Sequence, residues 1–204
     1  MKNNNIITID GPSASGKGSL AKALAKELDF ILLDSGLLYR AYSYCFEQSQ
    51  DHALAKNLFS NLQINSMDHQ MHVFESNKDI TSILRHENVA KSASILSSLK
   101  ETRDNLISFQ RDLANNLGLV ADGRDMGTVV FPDAGTKIFL VADAEVRAER
   151  RFLELQNAGQ EVNMRDLIDD IRLRDEADKA REISPLMPAG DSFELNSSNL
   201  TPQE

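Results

Sequence analysis

The chain has 204 residues, enough to bury one full hydrophobic core and too few for two large independent ones. Hydrophobic residues make up 41% and charged residues 26%, so a long disordered tract is excluded as the basis of its function. A net charge of −9 argues against a nucleic-acid polymer or an anionic membrane surface as partner, since either calls for an excess of Lys and Arg.

From the N-terminus, Met1-Lys2-Asn3-Asn4-Asn5 leads into only four apolar or Thr positions before Asp10, too short a stretch for a signal peptide. No run approaches membrane-spanning length, and the single cysteine, Cys45, cannot form an internal disulfide; a reducing cytoplasm is the expected setting. Five short apolar runs are expected to be buried parallel strands: Ile6 to Ile9, Phe30 to Leu33, Gly118 to Ala121, Lys137 to Val141 and Ser192 to Leu195. Between the first two, Leu20, Ala21, Leu24, Ala25 and Leu28 fall on one face of a helix. Strand, loop, helix, strand is the unit of an α/β fold, so a five-stranded parallel sheet covered by helices is predicted.

Over residues 61–81 the period changes to alternation, which predicts a small antiparallel insertion with turns at Ser66 to Asp68 and at Asn77-Lys78. Residues 87–116 read as mostly helical. A further helix is expected from an N-cap at Asp143 to a C-cap at Gly159, and another from Met164 to Ala180, ahead of Pro185. Thr201-Pro202-Gln203-Glu204 reads as a helix start, from which the natural chain is expected to continue beyond residue 204.

Directly after the first strand comes Gly11-Pro12-Ser13-Ala14-Ser15-Gly16-Lys17-Gly18-Ser19, a GxxxxGK loop opening a helix. Glycines at this spacing let backbone N–H groups converge on phosphate oxygens, and the helix N-terminus adds partial positive charge. Lys17 is positioned to reach the β- and γ-phosphates of ATP, and the strand before with the helix after is the context the motif requires. Gly18 follows the lysine where a switch GTPase usually has Ser or Thr, which favours a small-molecule kinase. Ser19 then supplies the hydroxyl for Mg²⁺, and Asp122, ending the third apolar run, is a candidate to hold the same ion through its waters.

Three more blocks, Leu33-Asp34-Ser35-Gly36-Leu37-Leu38-Tyr39-Arg40, Ala121-Asp122-Gly123-Arg124-Asp125 with its continuation to Pro132, and Arg174 to Arg181, together with the phosphate loop resemble the bacterial cytidylate kinases, from the first strand to Asn196. The resemblance implies one P-loop kinase domain over residues 1–204, with a CMP-binding insertion at about 61–99 and a closing lid at about 155–185. It implies ATP and CMP or dCMP as substrates, a monomer, and an acceptor site drawn from Asp34, Ser35, Arg40, Ser94, Arg103, Arg124, Asp125, Arg174, Asp178 and Arg181. In that set Ser94, Arg174 and Asp178 fall to the ribose, Arg103 and Arg181 to the base.

Physical reading adds its own support. Arg40 and Arg124 each follow a strand whose C-terminal edge is where open α/β sheets bind ligands, and two guanidiniums there screen the repulsion between acceptor phosphate and γ-phosphate. Arg174, Asp178 and Arg181, at i, i+4 and i+7, share a helix face with the carboxylate between the cations. Asp125 supplies the acceptor that the N4 amino group of cytosine needs beside donors from Arg103 and Arg181. Arg147 and Arg151, one turn apart, are candidates to stack on the adenine of ATP or grip its phosphates, a role Arg150 could equally fill. His52, His69, His72 and His86 lack metal-ligand spacing, so no zinc is expected. Two rival readings keep the loop: a kinase for another small acceptor, and an ATP-dependent switch that transfers nothing.

Overall fold

The computed structural model describes residues 3–114, 118–157, 159 and 161–201. In chain order its elements are β1 (Asn3–Asp10), α1 (Lys17–Leu28), β2 (Ile31–Asp34), α2 (Ser35–Ser49), α3 (His52–Ser60), β3 (Gln63–Met67), β4 (Gln70–Glu75), β5 (Lys78–Asp79), α4 (Thr81–Leu84), α5 (Glu87–Leu96), α6 (Lys100–Asp112), β6 (Leu119–Gly123), a π-helical turn (Met126–Val130), β7 (Ala134–Val141), α7 (Ala144–Asn157), α8 (Met164–Lys179) and β8 (Phe193–Asn196). All five expected strands are present, and they form a five-stranded parallel sheet. The chain divides into two compact units, Met1–Leu20 with Gly123–Glu204, and Ala21–Asp122.

In the first unit β1 pairs with β7 in parallel, Ile9 beside Ile138 and Asp10 beside Phe139, and β7 pairs with β8, Leu140 beside Leu195. Ile6, Thr8, Ile9, Phe139 and Leu140 are buried, as strands covered on both faces require, whereas Phe193 and Leu195 of the outer strand β8 stay exposed. α7 begins directly after Asp143, with the Arg147 N–H on the Asp143 carbonyl at 3.0 Å, and Gly159 turns the chain in the left-handed region at φ +73°. α8 is capped by the Asn163 side chain, which accepts from the Arg165 N–H at 2.9 Å. Of the expected helix start at residues 201–204, only Thr201 is described, outside any helix; Pro202, Gln203 and Glu204 lie outside the described residues.

In the second unit β2 and β6 run parallel from Ile31 beside Leu119 to Asp34 beside Asp122. Leu33, Leu37, Leu38, Tyr42, Leu106 and Val120 make its fully buried core, and Cys45 on α2 is buried as well. β3, β4 and β5 form the expected antiparallel sheet, but its turns are shifted from their expected places: Ser66 and Met67 belong to β3, Lys78 to β5, and the reversals fall on Asp68-His69 and Ser76-Asn77. All four of those residues have positive φ (50°, 55°, 48° and 67°), the two-residue geometry whose twist matches that of the flanking strands. α5 and α6 occupy the stretch read as helical, of which residues 115 and 116 lie outside the described residues. The segment about 61–99 thus holds β3 to β5 with α4 and α5, and the segment about 155–185 holds the end of α7 and all of α8.

Candidate active site

The phosphate loop leaves β1 at Asp10 and re-enters regular structure at Lys17, the first residue of α1. At Gly11 φ is +151°, and a Cβ there would stand 2.0 Å from the Leu140 carbonyl oxygen, so only glycine lets the loop start against β7. Ala14 is left-handed at φ +58°, a conformation unfavourable for a side-chain-bearing residue and held by its surroundings. The Lys17 ammonium is buried and donates to the Pro12 carbonyl at 2.8 Å, which curls the loop around it. Ser19 is exposed in the first turn of α1.

The same unit gathers charged side chains on Asp178. This carboxylate, 2% exposed, accepts from Arg124 Nε at 3.0 Å through one oxygen and from Arg181 through the other. Burial pushes its carboxyl upward, but Arg124, Arg181 and Arg174 outweigh that and hold it below the usual carboxylate range. Arg181 lies just beyond the end of α8 and still reaches back three residues to the carboxylate, close to the shared face expected from spacing. Asp125 is buried at the start of the π-helical turn, where its carbonyl accepts from the Val129 and Val130 N–H groups at 2.9 and 3.2 Å.

In the second unit Arg40 stands on the second turn of α2, six residues beyond the end of β2, and donates to the Leu84 carbonyl at 3.2 Å; it is a helix residue, not one of a strand-edge loop. Asp34 caps α2 by accepting from the Leu37 N–H at 3.0 Å and lies 3.9 Å from Arg85, while Ser35 is buried beside it. Arg103, 8% exposed, donates to the Ser97 carbonyl at 3.1 Å and lies 5.8 Å above the Tyr39 ring, so an aromatic face and a carbonyl fix its direction. The Ser94 carbonyl accepts from the Ser97 hydroxyl at 2.8 Å. Asp122, near the end of β6, is the register partner of Asp34 at the end of β2, so the paired strands carry carboxylate residues at the same level. Hard oxygen donors of this kind suit Mg²⁺, which keeps most of its waters and takes few protein ligands. Among the described residues there is no group of three or more His, Cys, Asp or Glu side chains placed to hold a metal ion.

Two arginines of α7 grip the back of the phosphate loop. Arg147, 3% exposed, donates from Nε to the Ala142 carbonyl at 2.8 Å, from one terminal nitrogen to the Ser13 carbonyl at 3.2 Å, and from both to Asp175 of α8 at 3.0 and 2.5 Å. Arg150 reaches the Ser15 carbonyl at 3.3 Å and the Ser197 carbonyl at 2.6 Å, and the Ser197 hydroxyl meets the same Ser15 carbonyl at 2.8 Å. Arg151 is partly exposed and pairs with Glu154 at 3.0 Å.

The cytidylate kinase family matches residues 7–204, a range that contains every one of these groups. The chain belongs to that family. Among its relatives, a cytidylate kinase of Pseudomonas putida strain W619 is 42% identical over 207 residues, covering 96% of this chain and 90% of the relative. One from Pseudomonas savastanoi pv. phaseolicola is 44% identical over 204 residues, covering 96% and 89%. Within the cytidylate kinase framework, Arg124, Asp178 and Arg181 come together in the first unit and Arg103 with Tyr39 in the second, while Arg147 is engaged by Asp175 and the loop. Three of these contacts have no signal in the sequence. Asp10 follows the expected strand Ile6 to Ile9, but its partners are the Met126 and Gly127 N–H groups, at 2.8 and 2.7 Å. Asp175 sits inside the Arg174 block, but its partner is Arg147 of α7, 28 residues before it, which helical spacing within α8 does not signal. Arg150 with Ser197 joins the loop to the segment after β8, and nothing local signals that.

Proposed function

We propose that the chain transfers the γ-phosphoryl group of ATP to CMP, and to dCMP, giving ADP and the cytidine diphosphate. The observation that carries this reading is the pair of guanidiniums, Arg124 and Arg181, gathered on buried Asp178 in the unit that also bears the Gly11–Ser19 loop. A phosphate oxygen of CMP attacks the γ-phosphorus in line; the new P–O bond forms as the bond to the β,γ-bridging oxygen breaks, and ADP leaves with that electron pair. The attacking oxygen is already anionic, so no general base is needed, and catalysis comes from positioning and from charges that meet the transition state.

In this scheme the backbone N–H groups of Gly11, Pro12's neighbours Ser13, Ala14 and Ser15, then Gly16, Lys17, Gly18 and Ser19 cradle the ATP phosphates, and the Lys17 ammonium leaves the Pro12 carbonyl for the γ-phosphoryl oxygens. Ser19 and Asp122 are the residues to hold Mg²⁺, which when bound neutralises charge on the β- and γ-phosphates. Arg40 and Arg124 are assigned to the CMP phosphate, and Asp34 and Ser35 to the same acceptor. Ser94, Arg174 and Asp178 meet the ribose. Asp125 accepts from the cytosine amino group, and Arg103 and Arg181 donate to its ring nitrogen and carbonyl. Arg151, and Arg147 through the phosphate loop, serve the ATP side. Closure of the 155–185 segment excludes water, the competing acceptor. The chain acts as a monomer, without a nucleic-acid polymer, and both substrates belong to the cytoplasm; no helix among the described residues is long and apolar enough to cross a membrane.

ADP release measured with Mg-ATP alone and with a panel of nucleoside monophosphates tests this directly. ADP formation that depends on CMP or dCMP is expected. ADP made equally fast without acceptor supports the switch, and best turnover with another acceptor overturns the choice of CMP.

A further inference from the structure

Asp10 closes β1 one residue before the phosphate loop, and the scheme above gives it no role. Its carboxylate is 5% exposed, and both oxygens are occupied by successive backbone N–H groups, Met126 at 2.8 Å and Gly127 at 2.7 Å. The chain immediately before those two groups is Arg124-Asp125, the residues read as acceptor-phosphate and cytosine ligands. Two bonds to one rigid carboxylate fix both the position and the tilt of the peptide planes that follow Asp125. The Asp10 backbone is itself pinned in the sheet beside Phe139, so the carboxylate is a fixed anchor and not a group that follows the loop.

Packing makes the same demand from the other side. A Cβ on Gly127 would stand 2.8 Å from Thr8 Oγ1, 3.2 Å from Lys137 Cδ and 3.3 Å from Asp10 Oδ2, so the backbone approaches Asp10 this closely only because residue 127 has no side chain. Downstream, the Phe131 N–H closes the π-helical turn on the Met126 carbonyl at 2.7 Å, and Lys137 Nζ holds the Pro132 carbonyl at 2.6 Å and Asp191 at 2.9 Å. The segment that begins at Arg124 is therefore held at both ends within one unit.

We propose that Asp10 is a positioning residue: by holding the Met126 and Gly127 N–H groups it sets the Arg124 guanidinium and the Asp125 carboxylate in register with the phosphate loop that it precedes. This rests on the reading of Arg124 and Asp125 given above. Asp10 touches neither substrate; it acts through the backbone of its partners. Asp10→Asn replaces one acceptor by an NH₂ group that faces an N–H donor, so the amide bonds one peptide and repels the other. Gly127→Ala displaces the same peptide by a different route, through contact with Thr8 and Asp10.

Both variants are purified and melted alongside the wild type, and kcat and KM are measured for ATP, CMP and UMP. The wild-type CMP/UMP preference is recorded first: its absence defeats the functional reading itself. Given that preference, displacement of reacting groups by up to about 1 Å is expected to lower kcat/KM for CMP by about 10- to 100-fold. The loss for UMP is smaller, so the CMP/UMP ratio narrows, and KM for ATP stays within about twofold because the Asp10 backbone remains in the sheet. A purely structural bond lowers the melting temperature and leaves the ratio alone. The inference is overturned if the ratio is unchanged in whichever variant folds, if KM for ATP rises as much as KM for CMP, or if neither variant folds.

Discussion

Replacing Asp178 by Asn removes the carboxylate charge on which Arg124 and Arg181 converge and nearly conserves shape. Removing one partner of a buried ion pair costs about 3–5 kcal/mol, because the other charge is left uncompensated. Here the side-chain exposures are 2% for Asp178, 9% for Arg181 and 20% for Arg124, so Arg124 recovers part of its loss in water, and Asn keeps one acceptor oxygen. The low end, about 3 kcal/mol, is therefore expected, which for a domain of this size lowers Tm by about 6–12 °C. Sign and pH window follow from the carboxyl being held below its ordinary value of 3.8. The wild type carries this stabilisation in full above that value and loses it as the pH falls through the lowered folded value, whereas the Asn variant has none to lose. Thermal melts of both proteins at pH 7 and at stepped pH values down to 3 measure it: the Tm gap is widest at pH 7 and shrinks toward pH 3. A gap under about 1 °C at pH 7 refutes the premise that the cluster is a buried, charge-balanced unit.

Lys17→Ala is expected to abolish turnover, a loss of several kcal/mol in transition-state stabilisation at roughly the scale of removing a charge from a transferring phosphoryl group, with CMP affinity by calorimetry nearly intact. Normal kcat in the folded variant removes the loop from the mechanism. Asp125→Ala should reduce kcat/KM for CMP far more than for UMP, since uracil offers a carbonyl where cytosine offers an amino group; equal losses for both would mean that the carboxylate orients its neighbours and reads no base. The Cys45 thiol, pushed up to about 12 by burial, should resist aromatic disulfide reagents at pH 8 in the native protein and react at once in denaturant. Prompt reaction under native conditions contradicts its burial.

Some of this was legible residue by residue. A strand buried on both faces must be a short apolar run between turn residues, and so Ile6 to Ile9, Phe30 to Leu33 and Lys137 to Val141 lie on β1, β2 and β7 to within a few positions. The phosphate loop is readable because its glycine spacing, its lysine and the helix start fall within nine consecutive residues. The grouping of Asp178 with Arg181 is readable because helical spacing alone carries neighbours three or four residues apart to one face. Turn placement in the β3–β5 insertion was less legible: the identities of Asp68-His69 and Ser76-Asn77 permit a two-residue reversal, but the strand register chooses which residues take positive φ.

Partner choice across the chain belongs to the tertiary structure. The type of a residue says that a buried carboxylate needs donors and a buried guanidinium needs acceptors, but not which ones, because they are whatever packing brings within about 3 Å. Asp10 finds two N–H groups 116 and 117 residues away, Arg147 finds Asp175 28 residues on, and Arg150 finds Ser197 47 residues on. Arg40 turns to the Leu84 carbonyl 44 residues away, a direction set by the helix on which it stands. Chemistry confined to neighbouring residues was determined by the order of the amino acids alone; the alignment of those pieces waited on the sheet, since only close packing selects one set of partners among the many that charge and hydrogen-bonding capacity allow.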